Sequence, residues 1–219
     1  MSDFVIGYGS LINQNSRRKS SPSSYDAVAV TIKGFTRGWF ARTGVVGFST
    51  TYLGCLKSTS DLLTSKPKSD FINGVLYKVD SDELKILDKR ERRYIRTLVP
   101  CEDVSGYNSE IPSNANFWIY ENEFQSESEF KESFPTKEFP IIQSYVDMCL
   151  EGCIEIDLIN GNTKFSKDFL QTTFGWNTNW ANDRVFPRRP QSSCKYAYEI
   201  DDLLVAYLGE EIFESIYIE

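Results

Sequence analysis

The chain has no histidine among its 219 residues, and that absence limits the chemistry its side chains can do. Ser-His-Asp and Cys-His nucleophiles, the HExxH metal helix and histidine proton shuttles are all excluded. Acid–base work must fall to a carboxylate, a lysine, a tyrosine or a cysteine. Glu91 stands out among the carboxylates. In a helix over 82–95, residues Leu84, Leu87, Glu91, Tyr94 and Ile95 fall on one stripe, because about 100° separates successive residues. No Lys or Arg stands three or four residues from Glu91, and Arg90, Arg92 and Arg93 project at other angles. A glutamate held against apolar groups without a local cation is expected to keep its proton more tightly than usual, which suits a general base near neutral pH. A distant arginine (Arg37, Arg42, Arg184, Arg188 or Arg189) closing a buried ion pair would make the position purely structural. The residues alone leave both readings open.

The second candidate is FVIGYGSLI at positions 4–12, an apolar run broken by Gly7, Tyr8, Gly9 and Ser10. Glycines permit close approach and unusual backbone angles, so such a turn can offer successive main-chain N–H groups to an anion or a developing oxyanion. It is not a dinucleotide fingerprint, because Ile12 occupies the third glycine position, and no Gly-Lys-Ser/Thr follows to make a phosphate loop. Read alone, the turn is a weak signal and is more readily an ordinary strand end. The Ser-rich segment after it carries Arg17, Arg18 and Lys19, a triplet expected to be a solvated loop tip. The five cysteines, 55, 101, 149, 153 and 194, are odd in number and widely spread, so reduced thiols are expected. Cys149 and Cys153 have neither a second cysteine pair nor a histidine to complete a metal site.

The elements that must hold these residues follow from periodicity. Strands are expected over 3–7, on both sides of the Gly34 break in AVAVTIKGFTRGWFAR, at STTYLGCL, at FINGVLYKV, at TLVPCEDV and at FWIYENEF. A Ser/Lys/Pro-rich loop fills 57–70 and another loop 105–116. The helix bearing Glu91 begins with Ser81 as N-cap and acidic residues in its first turn. The acidic stretch 125–138 reads as a solvated connection or weak helix. PIIQSYVDMCLEGC has amphipathic helical spacing, with Pro140 at its start and Gly152 near its end. SKDFLQTTF is a short helix, GWNTNWANDRVFPRRP an irregular aromatic segment, and IDDLLVAYLGEEIFESIYI helical again. Strands first and helices later indicate an α+β fold around a mainly antiparallel, barrel-like sheet.

Composition narrows the function classes. With 41% hydrophobic and 14% aromatic residues the chain is expected to be globular rather than disordered. A net charge of −7 argues against a nucleic-acid partner. No stretch approaches the roughly 20 apolar residues of a membrane span, and no signal-peptide pattern opens the sequence, so a cytoplasmic protein without a membrane partner is expected.

GYGSLI after a first strand, then INGVLYKV, then a helix with LDKRERRY, resembles the gamma-glutamylcyclotransferase-like superfamily in order and spacing over residues 3–100. TTFGWNTNW and ANDRVFPRRP also look like the C-terminal part of some of its subfamilies. The resemblance implies a small mixed, mainly antiparallel β-barrel with flanking helices, here a single domain over 1–219 with a helical C-terminal extension. It implies that Tyr8, Gly9, Ser10 and Leu11 bind the γ-glutamyl part of a small-molecule substrate. Glu91 becomes the acid and base for cyclisation to 5-oxoproline with release of an amine, as in glutathione metabolism. Tyr94 orients Glu91, contacts substrate or packs in the core. No cofactor, metal or nucleotide is implied. The alternative is a non-catalytic member of the same fold that binds a small ligand or a protein and needs no ionisable group at position 91.

Overall fold

Strand β1 (Ser2–Gly7) is apolar from Phe4 onward, and its second half is buried because both faces are covered there, as is usual for a central strand. In the computed structural model, which describes residues 1–43, 49–63, 69–188 and 194–218, it lies inside the largest sheet. Val5 and Ile6 are both fully buried but join different apolar clusters, one on each face. After helix α1 (Gln14–Arg18) come β2 (Val28–Lys33), β3 (Phe35–Thr43), β4 (Thr50–Lys57) and β5 (Phe71–Val79). Helix α2 (Ser81–Arg90) leads to β6 (Ile95–Val99), β7 (Val104–Gly106) and β8 (Ala115–Glu121). The remainder is α3 (Glu127–Glu132), β9 (Ile141–Ile142), α4 (Gln143–Asn160), α5 (Lys164–Thr172), β10 (Thr173–Phe174) and β11 (Trp180–Asn182), then α6 (Ala197–Leu208), α7 (Glu210–Glu214) and β12 (Tyr217–Ile218).

The main sheet runs β6-β8-β1-β5-β2-β7 and is antiparallel except for the β1–β8 pair. The α+β class and the antiparallel bias are as expected, but the barrel is not formed. Among the described residues three sheets stay separate: the six-stranded one, β10-β3-β4, and β12-β11-β9. Gly34, with φ of 77°, turns the chain out of the main sheet after β2. The β3–β4 hairpin therefore lies over one face, where Trp39 and Leu53 share a core with Val5 and Val75. That core also takes in Cys149 and Cys153 of α4, Phe165 and Phe169 of α5, and Ile200 and Leu204 of α6.

Several boundaries differ from expectation. The N-cap of α2 is Asp80 rather than Ser81: its side chain accepts from Asp82 and Glu83 N–H while Glu83 reaches back to the Asp80 N–H, a reciprocal capping box. The helix ends at Arg90, so the stripe through Tyr94 and Ile95 does not exist, and Ile95 is an exposed first residue of β6. The loop after the glycine turn contains α1, and Arg17 is buried there rather than solvated. The helix drawn from Pro140 to Gly152 is preceded by β9 and continues to Asn160, where Gly161 in the left-handed region caps it. The last helical stretch breaks at Gly209 and finishes as strand β12, and the irregular aromatic segment contains β11. The middle of the 57–70 loop, and Arg189 and Pro190, lie outside the described residues. All five cysteines are free, and no helix among the described residues is long and apolar enough to cross a membrane.

Candidate functional site

The glycine turn is built by close packing. Neither Gly7 nor Gly9 has positive φ, so unusual angles are not their reason. A Cβ on Gly7 would stand 2.6 Å from the Leu11 Cβ, and one on Gly9 3.1 Å from the Tyr145 hydroxyl. The turn closes with the Ile12 N–H donating to the Gly9 carbonyl at 2.9 Å. Two buried guanidinium groups take its other carbonyls: Arg37 donates to Tyr8 O at 3.0 Å, and Arg17 to Leu11 O and Ile12 O at 3.0 and 2.9 Å. The main-chain N–H groups of Ser10 and Leu11 meet no acceptor among the described residues. The carbonyl oxygens of Tyr8, Gly9, Leu11 and Ile12 are thus occupied and two successive donors are left, an arrangement that suits an anion.

Glu91 is delivered by the end of α2 rather than by a helix face. It is the C-cap, at φ −93° and ψ 28°, and its side chain is 17% exposed. A local cation does pair with it: Arg90 Nε lies 3.1 Å from Glu91 Oε1. Helical geometry would keep adjacent side chains apart, but the backbone leaves the helix at Glu91 and lets both face one cavity. Arg90 is anchored in turn by Ser16 O at 3.1 Å, Ser20 Oγ at 3.0 Å and, more weakly, Ser10 Oγ at 3.4 Å. The ion pair therefore lies against the first loop.

All six residues singled out by sequence meet at one recess of about 40 Å³, lined by Tyr8, Gly9, Ser10, Leu11, Glu91 and Tyr94 together with Ile6, Leu53, Tyr120 and Tyr145. Tyr94 donates to Leu53 O at 3.3 Å, tying the turn after α2 to β4. Tyr8 donates to Tyr120 O at 2.7 Å, and Tyr120 to Asp88 Oδ1 at 2.8 Å. Burial pushes the Tyr8 phenol well above its ordinary value, and burial followed by the Asp88 contact does the same to Tyr120, so both stay neutral O–H donors. Tyr120, Tyr145 and Arg90 escaped sequence reasoning. The first two are indistinguishable from core aromatics by spacing, and Arg90 by its helical angle. Beyond the recess, and sharing Ser10, Glu91, Tyr94 and Tyr145 with it, opens a pocket of about 570 Å³. No group of three or more metal-ligating side chains occurs among the described residues.

A strand-end turn with two open main-chain donors, facing a glutamate that closes the helix after β5, makes up the candidate site on this α+β fold. The family described as "Gamma-glutamyl cyclotransferase, AIG2-like" matches residues 5–139, and the chain belongs to that family. Two solved structures share the fold. A gamma-glutamyl cyclotransferase is 15% identical with a TM-score of 0.51, over 76% of this chain and 87% of that one. An uncharacterized protein from Homo sapiens is 14% identical with a TM-score of 0.54, over 93% and 98%. No curated protein sequence matches the chain significantly.

Proposed function

We propose that the protein cyclises a γ-glutamyl compound to 5-oxoproline and releases an amine. The observation that carries this reading is the meeting of Glu91 with the Tyr8–Leu11 turn in one recess. The α-ammonium of the γ-glutamyl group gives a proton to Glu91, its nitrogen attacks the γ-carbonyl, and a five-membered lactam forms. As the C–N bond to the leaving group breaks, Glu91 returns that proton to the departing amine, and the second proton shed by the ring nitrogen follows by the same route, so the amine leaves as an ammonium and one carboxylate serves both halves. Ser10 and Leu11 N–H hold the substrate carboxylate or the oxyanion. The attack is intramolecular, so folding the substrate into the recess supplies much of the advantage. Tyr8 and Tyr145 wall the space, and Tyr94 braces the turn that carries Glu91.

The test is Glu91→Gln, which keeps the shape and removes the proton carrier. With a panel of γ-glutamyl compounds, glutathione included, wild-type protein yields 5-oxoproline by mass spectrometry. The variant melts at the same temperature and turns over at least about 100-fold more slowly, the scale of a lost general base. Wild-type rates in the variant would remove Glu91 from the role, and no product from any compound would remove the activity.

A further inference from the structure

Helix α2 brings Glu91 to the recess with little apolar surface to hold it. Of its three apolar residues, Leu87 alone is fully buried, Leu84 is part-buried and Ile86 is exposed. Polar contacts anchor the rest. At the start of the helix the Glu83 carboxylate accepts from the Ser23 N–H and hydroxyl, between 2.7 and 3.0 Å. Near its end, one turn before Glu91, Asp88 Oδ1 accepts from the Tyr120 hydroxyl at 2.8 Å, and Asp88 Oδ2 lies 3.3 Å from an Arg96 nitrogen. The ion pair joins two part-exposed side chains and contributes little. The hydroxyl contact is of another kind, because Tyr120 is 4% exposed and its ring walls the recess. A polar group on a buried ring costs free energy when its acceptor is lost, and a carboxylate is the stronger acceptor. One bond thus joins the strand behind the recess to the helix turn that presents Glu91.

We infer that Asp88 is a positioning residue: through the Tyr120 hydroxyl it sets the distance between the recess wall on β8 and Glu91 at the end of α2. This rests on the cyclotransferase reading for the role of Glu91. In that reading the lactam closes only when the γ-glutamyl chain is folded against the wall with its ammonium at Glu91, and a displacement of about 1 Å in such a step costs up to roughly 100-fold in rate. Without Asp88 the end of α2 is free to pivot about Leu87, restrained by Arg90 on Ser16 O and Ser20 Oγ but no longer by β8. Asp88 stands outside the recess, so its effect passes through Tyr120 and the helix turn.

The test is a double-mutant cycle of Asp88→Ala, Tyr120→Phe and the two together, alongside Asp88→Asn, which keeps an oxygen for the hydroxyl. Each substitution of the cycle should lower kcat about tenfold, the pair no further than either alone, and Asp88→Asn should stay within about threefold of wild type. Melting temperatures should fall by no more than about 4 °C, since Asp88 is part-exposed and one hydrogen bond is lost. A second readout needs no turnover: hydrogen exchange at the Glu91 and Tyr94 amides, which donate to Leu87 O and Glu91 O at 2.8 Å. Both should exchange at least about threefold faster in Asp88→Ala but not in Asp88→Asn, with the amides at the start of α2 unchanged. If no γ-glutamyl compound is turned over, that exchange pattern upholds the role of Asp88 and only the cyclotransferase reading fails. Unchanged kcat in Asp88→Ala, losses that multiply in the double variant, no rescue by asparagine, or exchange unmoved by Asp88→Ala overturns the inference.

Discussion

Arg37 shows how much of the site depends on a side chain that touches no substrate. It is fully buried and has no carboxylate beside it. Its nitrogens donate instead to Tyr8 O, Asn73 O and Oδ1, Phe169 O, and the hydroxyls of Thr172 and Thr173, all between 2.8 and 3.0 Å. Burial lowers its pKa to about 10, so it stays charged at neutral pH. It pins the Tyr8 carbonyl from beneath while Arg17 pins those of Leu11 and Ile12, and the turn is left with its donors. A lysine cannot reproduce a planar fork with five N–H groups. Arg37→Lys is expected to cost about 3 kcal/mol, lowering the melting temperature by roughly 6–12 °C, since buried acceptors and a buried charge lose their partners together. An unchanged thermal melt would refute this account of the turn. The GYGSL turn was legible because its residue types are unusual where they stand, whereas Glu91 was reached through the family resemblance, since the helical stripe and the missing local cation argued for it both fail. Arg17 was not: a basic triplet among serines has a solvated composition, and the carbonyls that draw Arg17 inward exist only once the turn has closed.

At the scale of elements, strands were read most faithfully where both faces are covered. FINGVLYKV became β5 with the bounds expected, and Gly34 separated β2 from β3 as its position suggested. Helix α2 was overextended because RERRY continues with good helix formers, and nothing local announces the stop at Arg90. The stop is tertiary: Ile95–Val99 is claimed by antiparallel pairing with β8, which overrides propensity. Gly152, which the spacing puts near a helix end, lies inside α4 and serves a crossing. A Cβ there would lie 2.6 Å from Asn13 N and 2.8 Å from Ile12 C, main-chain atoms that cannot rotate aside. Alanine in the middle of a helix is normally favourable by about 1 kcal/mol, so the sign of Gly152→Ala is diagnostic. The variant is expected to lose about 1–3 kcal/mol by overpacking, seen as a lower denaturation midpoint in urea. Under the proposed cyclotransferase activity it should also form 5-oxoproline more slowly, because the displaced Ile12–Asn13 segment adjoins Ser10 and Leu11. A stabilised variant would show that α4 does not press on the first loop.

On the scale of the molecule, a residue beyond the matched family region helps wall the candidate recess. Tyr145 stands in the first turn of α4, and behind it Trp39, Trp176 and Trp180 form a chain of ring contacts with centroids 5.9, 5.0 and 5.3 Å apart in succession, the first two edge-on and the last stacked. The segment that follows fixes where α4 begins. Asp183 accepts from the Ser144 N–H at 2.7 Å, and Arg184 grips Asp147 through two bonds of 2.8 Å and Asp201 of α6 through bonds of 2.9 and 2.8 Å. Asp147 is buried while Asp201 is part-exposed, so the two halves of this clamp are unequal. Arg184→Ala strands a buried carboxylate and is expected to cost about 3 kcal/mol, or roughly 6–12 °C in melting temperature. Asp201→Asn leaves Asp147 paired and should cost less than about 1 kcal/mol. In Arg184→Ala/Asp147→Asn the buried carboxylate is gone and only the part-exposed Asp201 loses its partner, so part of the loss should return, a coupling that thermal or urea denaturation of the wild type, the two single variants and the double variant measures directly. Strict additivity of Arg184→Ala and Asp147→Asn would mean that the clamp is not what holds the start of α4, and with it Tyr145, against the recess.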